Sequence, residues 1–252
     1  MYHFFTDKSN ICGNTVYIRG GDVNHIKNVL RMRPGEEISV GDGENEDEYR
    51  CIIEEFEDDA VRCKLAFVKT AGVESPSRIY LFQGLPKSDK MELIIQKCVE
   101  MGVYKIIPVE TKRCVVKLEP KKAASKVERW QAISEAAAKQ SKRSIIPEVS
   151  MPVSFTEALK EASELDVKII PYELCEVDDR TTEIFENIKP GESIGIFIGP
   201  EGGFEESEVE KAREAGVLPV TLGRRILRTE TAGFTVLAWL MYKLEIFTMK
   251  RK

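Results

Sequence analysis

Hydrophobic positions along this chain follow two different rhythms. Over the first 70 residues they form short runs of β-formers broken by turn residues. Thr15-Val16-Tyr17-Ile18, Glu37-Ile38-Ser39-Val40, Tyr49-Arg50-Cys51-Ile52-Ile53 and Val61-Arg62-Cys63-Lys64-Leu65 read as strands. Pro34-Gly35 and Gly41-Asp42-Gly43 read as turns. Between the first two strands, residues 21–33 read as one short helix. Asp22 is placed to cap it, and Ile26, Val29 and Leu30 form its apolar stripe. Thr70 to Ser77, with Gly72 and Pro76, reads as a linker.

Beyond the linker the rhythm alternates between strand and helix. Arg78 to Gly84 predicts a strand and Ser88-Asp89 caps a helix through Val99. Its apolar residues are Met91, Leu93, Ile94, Ile95, Cys98 and Val99. Val103 to Val109 predicts a second strand, so a parallel crossover is expected. Pro120 opens a long helix on which Val127, Trp130, Ile133, Ala137 and Ala138 repeat at helical spacing. Phe155–Leu165 predicts a helix, Val167–Ile170 a strand, and 193–198 a buried strand. Glu205–Ala215 is a helix stopped by Gly216, and Leu218–Leu222 is the last strand. Residues 231–244 are apolar nearly all round and predict a helix buried on more than one side. A subunit interface and a core position explain that equally well.

Three of these strands run into irregular loops: Pro171–Glu173, Gly199–Gly203 and Leu222–Arg228. In a parallel sheet all three would lie on one edge, where ligands bind. The middle loop reads Gly199-Pro200-Glu201-Gly202-Gly203-Phe204. It has neither the spacing of a dinucleotide fingerprint nor that of a P-loop. The helix after it opens with Glu205, Glu206 and Glu208, which would repel a phosphate at that terminus. A ligand without phosphates fits better. The plainer reading is a tight turn before a helix.

Charge changes the picture in one respect. The 252 residues carry a net charge of −5, which argues against a general nucleic-acid magnet. The distribution is uneven: residues 1–72 and 151–252 are acidic, whereas 73–150 hold 15 Lys/Arg against 9 Asp/Glu. Lys121, Lys122, Lys126, Arg129, Lys139, Lys142 and Arg143 decorate the long helix and its end. Such a segment suits a polyanion, or is simply a solvated helix face. Arg31 and Arg33 suit phosphate contacts or a basic helix terminus. Six scattered cysteines without a C-x-x-C pair argue against zinc and a disulfide framework and for a reducing, cytoplasmic setting. His3 and His25 lack metal-ligand spacing, and no metal is expected. No apolar run approaches the ~20 residues of a membrane span.

The assembled motifs resemble a known family. Gly199 to Phe204 together with Leu222-Gly223-x-Arg225-Ile226-Leu227-Arg228-Thr229-Glu230-Thr231-Ala232 is similar to the RsmE-type 16S ribosomal RNA (uracil-N3) methyltransferases of the SPOUT superfamily. So are His25-x-x-x-Val29-Leu30-Arg31, Lys90-Met91-Glu92 with Gln96-Lys97 and Glu100-x-Gly102, and Glu128-Arg129-Trp130 through Gln140-Ser141-x-Arg143. The likeness runs in order over nearly the whole chain. It implies an α/β protein with a small PUA-like β-barrel, an RNA-binding domain, over 1–72. Residues 73–252 would form a SPOUT methyltransferase domain with a C-terminal trefoil knot, and a homodimer would assemble through the last helix. One departure is Glu205, where the family often has a capping Ser.

The same resemblance implies S-adenosylmethionine as cofactor, a molecule that carries no phosphate. Its cradle would be Pro171, Tyr172, Glu173, Ile198, Gly199, Pro200, Gly202, Gly203, Leu222, Gly223, Ile226, Leu227 and Thr231, with Ile198, Leu222, Ile226 and Leu227 against the adenine. Methylating N3 of uridine requires loss of a proton and passage of negative charge onto the base. Arg228 is the expected cation, Arg143 a second one, and Glu201 the expected proton acceptor. Small-subunit ribosomal RNA, or the assembled particle, would be held by Arg31, Arg33, Lys87, Lys90, Gln140, Lys142 and Arg143. Two other readings are a non-catalytic ribosome-assembly factor using the basic middle, and a nicotinamide or flavin enzyme. The missing fingerprint counts against the second of these.

Overall fold

In a computed structural model that describes residues 1–173 and 179–247, the chain divides into two compact units. The first comprises 1–74 and 138–146, the second 75–137 and 147–252. Cys175 lies outside the described residues.

The first unit is built on strands β1 (His3–Phe5), β2 (Ile11–Cys12), β3 (Thr15–Arg19), β4 (Glu37–Gly41), β5 (Asp47–Phe56) and β6 (Ala60–Thr70). They pair in the order β1-β4-β5-β6-β3-β2. β1 and β2 escape the sequence reading because three- and two-residue strands are too short to show a period. Alternate residues Val16, Ile18, Ile38, Val40, Cys51, Ile53, Val61 and Cys63 point inward and join Phe4 and Ile26 in one core. No ladder joins β1 to β2 among the described residues; instead Thr6 Oγ1 donates to Tyr17 O (2.6 Å) and curls the sheet toward itself.

The helix expected over 21–33 is shorter. α1 covers Gly21–Asn24 and winds on as a π-helix, His25–Val29. Arg31 then turns left-handed (φ 53°), which ends it. Val29 does not join the buried stripe; it is 60% exposed. Asp22 makes no cap, because its carboxylate accepts from Lys139 Nζ (2.9 Å).

The second unit contains β7 (Ile79–Gly84), α2 (Lys90–Glu100), β8 (Lys105–Glu110), α3 (Pro120–Ser141) as far as Ala137, β9 (Glu148–Val149), β10 (Val153–Ser154), α4 (Phe155–Glu161), β11 (Val167–Pro171), α5 (Asp179–Asn187), β12 (Ile194–Ile198), α6 (Glu206–Glu214), β13 (Leu218–Val220) and α7 (Thr229–Met241). The sheet is parallel, in the order β10-β8-β7-β12-β11-β13, with β9 beside β8. β12 is buried along its whole length, as a central parallel strand must be. On one face Phe82 stacks on Phe197 (4.4 Å) amid Phe155, Phe204, Val209 and Val217. On the other, α7 packs on α2, and a Cβ added to Gly233 would lie about 4 Å from Ile198, Cys98 and Leu81.

α4 begins with a capping box: Glu157 N donates to Ser154 Oγ, and Ser154 N donates to Glu157 Oε2 (2.8 Å). Asp89, expected as a side-chain cap, makes no such bond to α2. Leu93 points outward and is 43% exposed. Among the described residues no helix is long and apolar enough to cross a membrane.

Candidate functional site

A cavity of about 410 Å³ opens at the carboxyl ends of β11, β12 and β13. Its walls come from the three loops that the hydrophobic pattern placed on one edge. From the edge strand β13, the chain crosses back over the ends of β11 and β12 before α7 begins.

The loop after β12 is shaped by close contacts. Gly203 N donates to Pro200 O (2.9 Å) to close a turn, and Gly203 has φ 66°, a region glycine enters without a side-chain clash. A Cβ on Gly84, at the end of β7, would lie 2.7 Å from Pro200 Cδ. The loop therefore rests on the one position of β7, Gly84, where a side chain has no room. Arg113 Nη1 holds the outer side of the loop by donating to Gly202 O (3.0 Å).

A second tie comes from Thr229, the buried first residue of α7. Its hydroxyl donates to Gly199 O (2.6 Å) and accepts from Gln83 Nε2 (2.9 Å). One side chain thus joins β7, the glycine loop and the start of the last helix.

Charged groups on the walls are Lys90, Arg224, Arg225 and Arg228 against Glu173 and Glu201. This excess of cations suits a ligand or transition state that carries negative charge. Lys90 Nζ lies 2.8 Å from Glu201 Oε1 and 3.8 Å from Glu230 Oε2. Glu201 also accepts from Lys87 N (3.1 Å). Burial alone would raise the Glu201 carboxyl, but the bonds from Lys90 and from the Lys87 amide hold it below the ordinary carboxylate value. That is a poor setting for a proton acceptor and a good one for a fixed anion.

Of the expected cofactor residues, Pro171, Tyr172, Glu173, Ile198, Gly199, Pro200, Gly203, Leu222, Gly223, Ile226 and Leu227 line the cavity. Gly202 and Thr231 do not; Gly202 is turned against Arg113. Ile226 is 86% exposed. The cavity also takes in Phe204, Thr221, Arg224, Arg225, Thr229 and Ala232, which were not among the expected site residues although four of them belong to the family motif. Thr229 carries no local signal, since its partners lie 30 and 146 positions away.

The expected second cation, Arg143, has a different task. It is buried in the first unit and paired with Glu74 (Nε to Oε2 3.0 Å). Glu74 also accepts from Ser144 N (2.9 Å). The guanidinium is thereby consumed in fastening 138–146 to that unit, which corrects its placing among groups that meet substrate or RNA. Arg31, Arg33, Gln140 and Lys142 are exposed on the first unit, Lys87 on the second. Lys90 is half-buried in the cavity wall.

Similarity to known proteins now decides the family. An RNA methyltransferase domain pattern matches residues 73–241, and an RNA methyltransferase PUA domain pattern matches 18–66. Ribosomal RNA small subunit methyltransferase E of Bacillus subtilis is 37% identical over 235 residues, 92% of this chain and 91% of that one. The chain belongs to the ribosomal RNA small subunit methyltransferase E family. Its Aquifex aeolicus relative is 29% identical over 96% of this chain and 99% of that one. The Neisseria gonorrhoeae member, solved bound to S-adenosyl methionine, superposes with a TM-score of 0.83. It is 35% identical, covering 97% of this chain and 98% of its own. The family is one of α/β proteins with an N-terminal PUA-like sheet domain and a C-terminal parallel-sheet methyltransferase domain.

Proposed function

We propose that this protein transfers a methyl group from S-adenosylmethionine to N3 of a uridine in small-subunit (16S) ribosomal RNA. The observation that carries this reading is the single cavity wall built from three loops at the sheet's carboxyl edge, in a chain whose Neisseria relative holds that donor.

The residues present fit the cofactor. The volume is that of a small-molecule site. Ile198, Phe204, Leu222 and the exposed Ile226 offer an apolar bed for an adenine. Gly203 and Gly223, both at positive φ, expose backbone groups that side chains would otherwise cover. Glu206 and Glu208 at the start of α6 disfavour a phosphate there. Arg224 and Arg225 suit a carboxylate. When bound, the cofactor supplies an electrophilic methyl group.

The protein's own part is to hold, orient and stabilise. The uridine N3 proton leaves, N3 forms the new bond to carbon, and a neutral thioether departs. Negative charge spreads onto N3, O2 and O4 as the proton goes. Arg228, exposed at the N-terminus of α7 and on the cavity wall, is the guanidinium placed to meet it. Glu201 fixes the geometry of the glycine loop and Lys90, and the N3 proton passes to solvent water.

RNA would be held by the exposed Arg31, Arg33, Gln140, Lys142 and Lys87, with 1–72 as the RNA-binding domain and 73–252 as the methyltransferase domain. The last helix supports a homodimer. Val236, Leu237 and Leu240 of α7, and Leu244 of the π-helix Tyr242–Phe247 that continues it, are buried within the chain, while Trp239 (38%), Tyr242 (58%) and Ile246 (46%) are exposed along the same two segments. A trefoil-knotted path and a cytoplasmic setting belong to the same reading.

The deciding experiment incubates the protein with methyl-labelled S-adenosylmethionine and small-subunit RNA or 30S particles, followed by nucleoside analysis. Labelled 3-methyluridine is expected. Cofactor and RNA binding with no transfer would leave a ribosome-assembly factor instead.

A further inference from the structure

Lys90 sits where a cation is most useful and is tethered in a way that bulk structure does not require. Its ammonium is 2.8 Å from Glu201 Oε1 and 3.8 Å from Glu230 Oε2. Glu230 Oε2 is buried and makes no hydrogen bond among the described residues. A buried carboxylate oxygen without a donor is unfavourable, so a nearby ammonium is drawn toward it. Glu201 stands on the glycine loop and Glu230 in the first turn of α7, on two elements that both frame the cavity. An ammonium has three N–H donors. One is accounted for by Glu201, Glu230 lies beyond hydrogen-bonding distance, and the side chain still lines the cavity, 30% exposed.

We propose that Lys90 is a catalytic residue that donates one of its free N–H groups to the uracil carbonyl oxygen adjacent to N3, with the Glu201 hydrogen bond and the nearby Glu230 charge as the positioning contacts that aim it. This rests on the uridine-N3 reading above. As N3 loses its proton, charge develops on that oxygen, and a fixed ammonium in a partly buried wall stabilises it more than water would. Lys90 keeps its proton throughout; it donates a hydrogen bond and no atom is transferred from it. Glu230, held in the helix that follows the 222–228 loop, links the placement of that loop to the placement of the cation.

The test compares wild type, Lys90→Met, Glu230→Gln and the double variant in methyl transfer to small-subunit RNA and to the same RNA made with 5-fluorouridine. Fluorine makes N3 more acidic, so less anion stabilisation is needed. Lys90→Met is expected to lower kcat by roughly a hundredfold, the scale of removing one oxyanion donor. The KM for S-adenosylmethionine and the melting temperature should stay near wild type, and the defect should shrink markedly on fluorinated RNA. Glu230→Gln should lose about tenfold and add nothing in the Lys90→Met background, because both act through one ammonium. An equal loss on both RNAs, or a loss confined to RNA affinity, would reduce Lys90 to a backbone contact and overturn the proposal. Additive losses would remove Glu230 from it. Failure of the wild-type protein to methylate uridine in either RNA would instead sink the functional reading itself.

Discussion

Replacing Thr229 by Val tests whether the cavity is held open by one hydroxyl. Valine keeps the branched shape and removes the oxygen. Two hydrogen bonds disappear, to Gly199 O at 2.6 Å and from Gln83 Nε2 at 2.9 Å. Gln83 is fully buried and keeps its bond to Gly84 O, but its other N–H is left without a partner. Net loss of about 1 kcal/mol for each bond, plus the cost of that orphaned donor, gives about 3 kcal/mol. Urea unfolding at fixed m-value reads this directly. The loss should also appear in binding, because the tie joins two walls of the cavity. If ordering the loop costs about 1.4 kcal/mol more on binding, S-adenosylmethionine affinity falls about tenfold by calorimetry. Thr229→Ser restores the hydroxyl and should restore most of both. A Thr229→Val protein within about 0.5 kcal/mol of wild type, with unchanged affinity, would refute the argument, because that is the range of an inconsequential substitution.

Gly84→Ala would place a Cβ 2.8 Å from Pro200 N and should displace the glycine loop. It is expected to cost about 1–3 kcal/mol in denaturant melts and to weaken cofactor binding. Arg143→Ala leaves Glu74 buried without its cation and should destabilise the protein by about 3–5 kcal/mol in the same assay. Lys142→Glu, at an exposed position, should leave stability unchanged and weaken RNA binding with a shallower salt dependence in a filter or fluorescence titration. Asp42 gives a pH signature. Burial alone would raise its carboxyl, but bonds from Asn45 and from the Asn45 and Glu44 amides hold it below the ordinary 3.8. A depressed native pKa contributes stability above the unfolded value and loses it as pH falls through the native one. The stability advantage of wild type over Asp42→Ala should therefore be full above about pH 5 and shrink steadily below the ordinary value in acid melts.

The strands and helices with a repeating apolar pattern were legible in the sequence because burial selects side chains locally. Val16 and Ile18 alternate, β12 is apolar throughout, and Pro120 starts α3, so each announces its own element. The edge on which three loops meet was legible too, since parallel strands fix which ends lie together. Elements too short for a period were not, as β1 and β2 show. Nor was the early end of the helix before Leu30, which a left-handed Arg31 dictates.

Family membership and the broad chemistry follow from the order of residues alone, because a loop motif and its flanking helices are properties of neighbouring positions. The tasks of individual charged and polar side chains do not follow. Arg143 reads as a free cation beside Lys142, yet the fold gives it to Glu74, 69 positions away. Thr229 reads as one more residue at a helix start, yet it closes bonds to β7 and to the glycine loop. Lys90 reads as one of several RNA-holding cations, yet it stands between carboxylates from two other elements. A hydrogen bond or ion pair is decided by distance in space, and only the folded chain sets that distance.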